Sequence, residues 1–338
     1  MGEEDINSRK IYFAPLEGIG GYLYRNAFYQ TFGGVEKYFT PFVSPGQHRT
    51  LTPKERKDIL PEHNKGMYVV PQILTNQPEY FMRTARELQQ TYGYEEINLN
   101  LGCPSGTVVS KGKGAGFLGR KEELAFFLDQ VIEQAEKAGL KISVKTRIGI
   151  ESPEEFYDLL PIFNRFPLHE LIIHPRVQKD YYKNPPHKKV FTEAVQQSSS
   201  PLCYNGDIFH PRDYRVFSQE FPQISRLMLG RGLLINPGLA RGIMNEEGEG
   251  ISLPEKQEIR TFHDKLYHGY REYMQGDTPV LFKMKELWFY LGHLFNRSEK
   301  YVKKIKKATR LSDYEAIVEL IFDKLEIDKG YNLSCIIN

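Results

Sequence analysis

The chain has 338 residues, of which 40% are hydrophobic and 26% charged, and its formal net charge is +2. This composition can fill a core and excludes a disordered chain, while the small net charge gives no overall sign of nucleic-acid binding. Three cysteines, Cys103, Cys203 and Cys335, show neither metal-binding pairs nor a disulfide framework, which predicts no metal site and a reducing, cytoplasmic location. No apolar run approaches the roughly 18 residues of a membrane span, so no membrane association is expected.

Short apolar strands alternate with amphipathic helices over the first 244 residues. The predicted strands cover residues 11–14, 37–43, 67–74, 95–101, 141–147, 170–174, 202–205 and 226–229. The predicted helices include 79–91, 121–138, 153–164, 211–220 and a short helix from Pro237. Eight such α/β units predict a closed parallel (β/α)8 TIM barrel, whose active face lies at the carboxyl ends of its strands. A doubly wound open sheet stays an alternative, because periodicity does not reveal closure.

The segment after the fourth predicted strand contains the main candidate for chemistry. Apolar and polar residues alternate along 95–101, and Gly102-Cys103-Pro104 then interrupts the strand. Four glycines between positions 106 and 116 predict a mobile loop after this turn. A cysteine at a strand tip beside such a loop is a candidate catalytic residue, although a free cysteine is also often a small buried apolar residue.

The other predicted strands also end in polar or glycine-containing segments. These are Ala14-Pro15-Leu16, Gln72, Lys145, Arg147, His174, Arg176, Asn205-Gly206-Asp207 and Gly230-Arg231-Gly232. Glycine-containing turns after the seventh and eighth strands are the usual phosphate-binding position of a TIM barrel. The pattern therefore predicts a phosphorylated cofactor, although each side chain taken singly also suits an ordinary structural role.

Only helical periodicity remains after an acidic, glycine-containing segment at 245–250. Further helices are predicted from 254 and at 279–294, 298–309 and 313–325, which gives a barrel domain of residues 1–244 and an all-helical domain of residues 251–330. One segment of this tail is strongly basic and contains Arg297, Lys300, Lys303, Lys304, Lys306, Lys307 and Arg310 against the single acid Glu299. Such a run forms either a solvated helix face or a surface for nucleic-acid phosphates.

Five segments together resemble the tRNA-dihydrouridine synthase family, flavin enzymes that reduce particular uridines in tRNA. They are APLEGIGGYLYRNAF, EINLNLGCPSGTVV, ISVKTRIG, PLCYNGDI and LMLGRGLLINP, and they extend from Ala14 to about Pro237. Each segment alone is weak evidence, whereas Asn-x-Gly-Cys-Pro followed in order by the lysine strand and both glycine turns is highly specific. The helical tail is similar in placement to that of the family.

The resemblance implies FMN as cofactor, NADPH or NADH as electron donor, and tRNA as substrate. We expect the protein to be a monomer. Cys103 matches the general acid that protonates carbon 5 of uracil, while Cys203 and Cys335 are assigned structural roles. The positions that match FMN contacts are Pro15, Leu16, Glu17, Gln72, Lys145, His174, Asn205, Gly206, Asp207, Gly230 and Arg231. The positions assigned to the substrate are Asn100 and Arg176 for the uracil, and Lys111 and Lys113 for RNA phosphates.

Two departures from the family pattern bear on these assignments. Pro175 replaces a small residue after His174 and affects the placement of Arg176, and Gly20-Gly21 replaces a more polar pair in the opening segment. Tyr181 and Tyr182 are candidates for base stacking, with core packing as the default assignment. Two other functions stay open: an FMN-dependent reductase of a free pyrimidine or other small molecule, and a non-catalytic tRNA-binding protein.

Overall fold

A closed barrel of parallel strands forms the centre of the computed structural model, which describes residues 9–245 and 253–331. The strands are β1 (Lys10–Phe13), β2 (Lys37–Phe39), β3 (Tyr68–Val70), β4 (Gln72–Ile73), β5 (Glu96–Leu101), β6 (Lys141–Arg147), β7 (Glu170–His174), β8 (Leu202–Tyr204) and β9 (Arg226–Leu229). They pair in the order β3-β2-β1-β9-β8-β7-β6-β5-β4, and every pairing is parallel. Since β3 and β4 are consecutive pieces of one strand, the sheet closes on itself. The predicted TIM barrel is confirmed.

Pro71 separates β3 from β4, so the third predicted strand is present in two pieces. Proline has no backbone N–H and cannot continue the ladder of hydrogen bonds. Its carbonyl nevertheless accepts a hydrogen bond from the backbone N–H of Asn98 at 2.9 Å, which keeps the strand beside β5. The break places Gln72 at the start of β4, close to the carboxyl end of the barrel.

Ten helices of the described residues accompany the barrel strands. They are α1 (Tyr22–Tyr29), α2 (Pro53–Ile59), α3 (Pro78–Tyr92), α4 (Gly106–Val109), α5 (Lys121–Lys137), α6 (Phe156–Phe163), α7 (Lys188–Gln197), α8 (Pro211–Glu220), α9 (Arg231–Ile235) and α10 (Leu239–Met244). At α3, α5 and α8 the predicted bounds agree to within one residue at either end, whereas the helix predicted at 153–164 is a 3-10 turn at Pro153–Glu155 followed by α6.

The interior of the barrel is filled by a small apolar cluster. Its members are Tyr12, Ala14, Phe39, Val70, Ile172, Cys203 and Met228. Cys203 is fully buried in this cluster, in agreement with the structural role assigned to it. Cys335 lies outside the described residues.

A buried ion cluster closes the amino-terminal end of the barrel. The Lys37 ammonium lies 2.8 Å from Glu96 Oε2 and 3.8 Å from Glu170 Oε2, and Arg226 Nε lies 3.2 Å from Glu170 Oε1. Burial raises the pKa of Glu170 to about 7. Because charged groups and large side chains fill this end, the open end of the barrel is the carboxyl one.

Four more helices form the tail: α11 (Lys256–Tyr273), α12 (Asp277–Leu291), α13 (Glu299–Lys307) and α14 (Leu311–Lys324). The tail packs on the barrel through Phe262 of α11, whose ring centroid lies 5.3 Å from that of Tyr24 and 5.4 Å from that of Phe32. The predicted domain boundary falls mostly on residues outside the described ranges and stays a prediction. None of the described helices combines the length and apolar character that crossing a membrane requires.

Candidate active site

Two adjoining cavities open at the carboxyl ends of the barrel strands. The larger has a volume of about 430 Å³, within the range of roughly 300–1,000 Å³ that ligand pockets occupy. The smaller, of about 60 Å³, lies over the turns that follow β8 and β9. Lys145, Tyr182 and Arg231 line both cavities, so the two are parts of one site.

The structure brings all eleven predicted cofactor positions to these cavities. The larger cavity is lined by Pro15, Leu16, Glu17, Gln72, Lys145 and Arg231, and also by Asn100 and Cys103. The smaller cavity adds His174, Asn205, Gly206, Asp207 and Gly230. The three remaining predicted positions, Arg176, Lys111 and Lys113, line neither cavity.

Asn100 holds the turn that carries Cys103. Its Oδ1 accepts hydrogen bonds from the backbone N–H groups of Gly102 at 3.0 Å and Cys103 at 2.9 Å. Its Nδ2 donates to Gln72 Oε1 at 2.6 Å, and Gln72 Nε2 donates in turn to Asn98 Oδ1 at 2.7 Å. Asn100 is only 7% exposed. The oxygen of the amide predicted to hold the uracil therefore fixes the cysteine turn, and its nitrogen is engaged by Gln72.

Arg147 on β6 fixes the same turn from the other side. Its buried guanidinium donates to the carbonyl of Gly102 at 3.1 Å, to that of Val177 at 2.8 Å and to that of Tyr181 at 2.7 Å. All three acceptors are backbone groups, so the position of the turn is coupled to the loop that follows β7.

The glycine-rich segment after Cys103 is folded rather than a loop, which corrects the prediction from its glycine content. It forms α4 and a 3-10 helix at Gly114–Gly119, and the 3-10 helix is largely buried. Gly114 has φ +55°, and a Cβ at this position would lie 2.9 Å from the Cys103 carbonyl oxygen. Glycine is needed here because the segment packs back against the cysteine turn.

The half-buried Cys103 thiol is held in its protonated form. Burial raises its pKa above the ordinary value, an effect that outweighs the lowering by the nearby positive charges of Arg147 and Lys145. A protonated thiol at neutral pH can donate a proton to a bound substrate, and the adjacent cations then favour the thiolate that remains.

Positive charge dominates the junction of the two cavities. Burial, together with the neighbouring Arg147, lowers the pKa of Lys145 to about 8. Within the described ranges the Lys145 ammonium has no hydrogen-bond or ion partner, although it lines both cavities. A half-buried amine without a partner in the described residues favours an electron-rich or anionic ligand at this position.

His174 is neutral in this setting. Burial and the surrounding positive charges of Arg147, Lys145, Arg176 and Arg231 lower its pKa well below the ordinary value. Arg176 Nη1 lies 3.1 Å from His174 Nε2 and is the donor there, which leaves the ring proton on Nδ1.

Arg176 is fully buried, and its guanidinium is occupied by protein groups. It pairs with Asp207, with Nη1 2.9 Å from Oδ1 and Nη2 2.5 Å from Oδ2, and Nε donates to the Asn184 carbonyl at 2.5 Å. Arg231 Nη2 lies 2.8 Å from the same carboxylate, at Oδ1. The structure thus places Arg176 beside the turns predicted to bind phosphate, where it lines neither cavity.

The other predicted RNA contacts lie on the segment after the cysteine turn. Lys111 is exposed, and its carbonyl accepts a hydrogen bond from Asn76 Nδ2 at 3.2 Å. Lys113 is half-buried, and burial lowers its pKa. Gly20 and Gly21, the departure in the opening segment, pack closely against protein atoms of Leu16 and Asp58.

Several residues of the site are not indicated by the sequence. Glu286, Phe289 and Tyr290 of α12 line the larger cavity, so the helical tail forms one of its walls. Tyr182 is 43% exposed, and the Arg231 guanidinium lies 4.4 Å from its ring centroid. Core packing is therefore the wrong assignment for Tyr182. Tyr181, the other tyrosine considered for base stacking, is also 43% exposed. No sequence signal separates Phe289 and Tyr290 from the many other aromatic residues in the chain.

The described residues contain no group of three or more His, Cys, Asp or Glu side chains that is placed to hold a metal ion.

Gly206 provides another close approach at the smaller cavity, since a Cβ there would lie 2.0 Å from the Tyr204 hydroxyl oxygen. The site is thus built from amides, cations, a thiol and closely packed glycine turns.

Comparison with known proteins gives one family and one fold. The family described as dihydrouridine synthase (Dus) matches residues 12–326. The tRNA-dihydrouridine(16) synthase of Aquipseudomonas alcaligenes is 27% identical over 260 residues, which cover 74% of this chain and 81% of that protein. A probable tRNA-dihydrouridine synthase of Staphylococcus aureus (strain COL) is 28% identical over 239 residues, which cover 66% of this chain and 68% of that protein.

Among solved structures, the old yellow enzyme from Trypanosoma cruzi superposes with a TM-score of 0.50 and 10% sequence identity. The superposition covers 79% of this chain and 95% of that structure. At this level of identity the likeness concerns the barrel fold alone.

Proposed function

Because the chain belongs to the dihydrouridine synthase family, we propose that it reduces the carbon 5–carbon 6 double bond of specific uridines in tRNA, with FMN as cofactor and NADPH or NADH as reductant. The family match confirms the predicted family and the predicted class of oxidoreductase. One observation carries the finer proposal: the Cys103 thiol and all eleven predicted cofactor positions line one continuous opening.

The residues present fit a flavin mononucleotide. The larger cavity has the volume for a planar ring system, and Gln72 presents an amide there. The smaller cavity combines the glycine-containing turns after β8 and β9 with Arg231, which suits a phosphate group. When bound, FMN supplies the hydride for carbon 6 of the uracil ring.

Cys103 supplies the proton in this proposal. As carbon 6 gains a hydride, negative charge develops toward carbon 5, and the thiol transfers its proton there and becomes a thiolate. Arg147 and Lys145 lower the free energy of that thiolate, and a proton from solvent restores the thiol. The Asn100 and Arg147 hydrogen bonds keep the turn from moving during the transfer, so the sulfur stays where the base is bound.

Lys145 places a positive charge at the junction of the two cavities. A cation beside a flavin ring favours forms of the ring that carry negative charge. The pKa of Lys145, about 8 in the protein alone, increases when an anionic ligand is bound, so the amine is fully charged in the complex at neutral pH. Gln72 is fixed by Asn98 and Asn100 and presents its amide in one orientation.

A uridine within folded tRNA is stacked, so it must leave the stack to reach the opening of the barrel. This step requires a second contact between protein and RNA. The exposed lysines of α13, together with Lys111 and Lys113, supply positive charge for the RNA backbone. The lysines at 303, 304, 306 and 307 have no ion partner among the described residues, which leaves their charges available.

The direct test is reduction of unmodified tRNA by the purified, FMN-loaded protein with NADPH or NADH. We expect dihydrouridine to form in tRNA and not from free uridine under the same conditions. Reduction of free uridine at a comparable rate would favour the small-molecule reductase. A protein that binds tRNA but stays colourless after addition of FMN would favour the non-catalytic alternative.

A further inference from the structure

We propose that a groove between α12 and the start of α13 binds a nucleobase of the substrate RNA that flanks the reacting uridine. We call it the α12–α13 groove; its volume is about 360 Å³, and its lining includes Trp288, Phe289, Arg297, Glu299, Lys303 and Asp328. The inference rests on the proposed function for its substrate, because only a polynucleotide brings a second base close to the first.

Phe289 connects the groove with the candidate active site. It lines both the α12–α13 groove and the cavity that contains Cys103, and its side chain is 55% exposed. A strand whose uridine enters the larger cavity must leave that cavity across its rim, and α12 forms part of this rim. The groove therefore begins where the binding site of the reacting base ends.

The walls of the groove suit the face of an aromatic base. Trp288 and Phe295 are buried and form an apolar floor, while Phe289 remains exposed beside them. Covering an exposed phenylalanine with a flat apolar partner lowers the free energy of the complex, and every nucleobase offers such a face. Stacking of this kind tolerates different bases, so the groove need not read sequence.

The charges indicate that a base, rather than a phosphate, lies inside the groove. Arg297 and Lys303 are balanced there by the carboxylates of Glu299 and Asp328. Two acids disfavour an anion, whereas the edge of a base carries both N–H donors and acceptor atoms and can use both kinds of side chain. The same acids disfavour an acidic peptide as the occupant.

The RNA backbone then has a place beside the groove. The exposed lysines at 300, 304, 306 and 307 lie on the same helix as Lys303, and none has an ion partner in the part of the chain that the structure describes. Phosphates on either side of the stacked base would meet this face of α13. The basic segment thus acts together with an aromatic contact near the active site.

The test compares Phe289→Ala with Phe282→Ala in the FMN-loaded protein. Phe282 is on the same helix and 71% exposed, but lines neither the groove nor the larger cavity, so it controls for loss of an exposed phenylalanine. Dissociation constants are measured for unmodified tRNA, for a uridine trinucleotide and for uridine monophosphate.

We expect Phe289→Ala to weaken binding of tRNA and the trinucleotide by about 5- to 150-fold, the range for loss of one base–aromatic stack. Uridine monophosphate should lose much less affinity than the trinucleotide, Phe282→Ala should behave as wild type, and Phe289→Tyr should restore affinity. Equal tRNA affinity in the two alanine variants would overturn the inference. So would an equal loss for the mononucleotide, because Phe289 would then contact the reacting base.

Failure of the proposed function has a different signature. In that case the wild-type protein would form no dihydrouridine in tRNA, whatever the affinities of the variants. An active wild-type enzyme with no effect of Phe289→Ala on tRNA affinity would refute only the proposal that the α12–α13 groove binds a flanking base.

Discussion

Replacement of Asn100 by leucine tests how the position of the catalytic turn is fixed. The change removes three hydrogen bonds, two accepted from the backbone N–H groups of Gly102 and Cys103 and one donated to Gln72. Each such bond contributes about 0.5–1.5 kcal/mol net, so the free energy of unfolding should fall by about 1.5–4.5 kcal/mol. A misplacement of about 1 Å at a reacting group can lower turnover by about 100-fold.

Asn100→Asp is the matched control, because its carboxylate still accepts both backbone hydrogen bonds and loses only the donor to Gln72. We expect it to retain more stability and more turnover than the leucine variant. Unfolding by urea gives the stability, and kcat and KM for tRNA give the activity. If the leucine variant kept its unfolding free energy and kcat, and only KM increased, Asn100 would be a contact for the uracil rather than a residue that positions Cys103.

Lys145→Met should change how stability depends on pH in the protein without cofactor. Because burial lowers the pKa of Lys145 from 10.5 to about 8, the unfolded chain binds more protons than the folded one between these values, and the lysine makes stability increase with pH there. Between pH 7 and pH 10, guanidinium chloride unfolding should show the free energy of unfolding of wild type increasing relative to that of the variant; a difference that does not change with pH would contradict the assignment. Replacing four lysines with glutamine, at Lys303, Lys304, Lys306 and Lys307, should weaken tRNA binding and reduce the slope of log affinity against log salt by about 3. The control replaces lysines that have carboxylate partners on the barrel, namely Lys121, Lys137, Lys141 and Lys188. An equal effect in that control would mean that α13 is an ordinary solvated helix face with no specific role in RNA binding.

The parts of this molecule that follow from local sequence were predictable. Strand periodicity and glycine turns place Cys103, Lys145 and the segments after β8 and β9 at strand ends, and parallel strands bring such ends together. Closure of the barrel was not readable from periodicity, because it depends on the pairing of β2 with β3 and of β4 with β5.

The features that the sequence did not predict depend on tertiary contacts. The glycines after Cys103 indicated a loop, but they serve close packing of α4 and the following 3-10 helix against the turn. Arg176 follows His174 as in the family motif, yet its guanidinium pairs with Asp207, a carboxylate on a different segment. The wall contributed by α12 comes from a helix that begins more than 170 residues after Cys103, and no local sequence pattern predicts that contact.

Proton donation by the Cys103 thiol beside a bound flavin is tested most directly by comparing turnover of unmodified tRNA by wild type and Cys103→Ala, with the bound flavin measured by its absorbance in each. We expect the variant to keep its flavin and its tRNA affinity while turnover falls by about 100- to 10,000-fold, the usual contribution of a general acid. A variant that keeps its flavin and reduces tRNA at the wild-type rate would contradict the account.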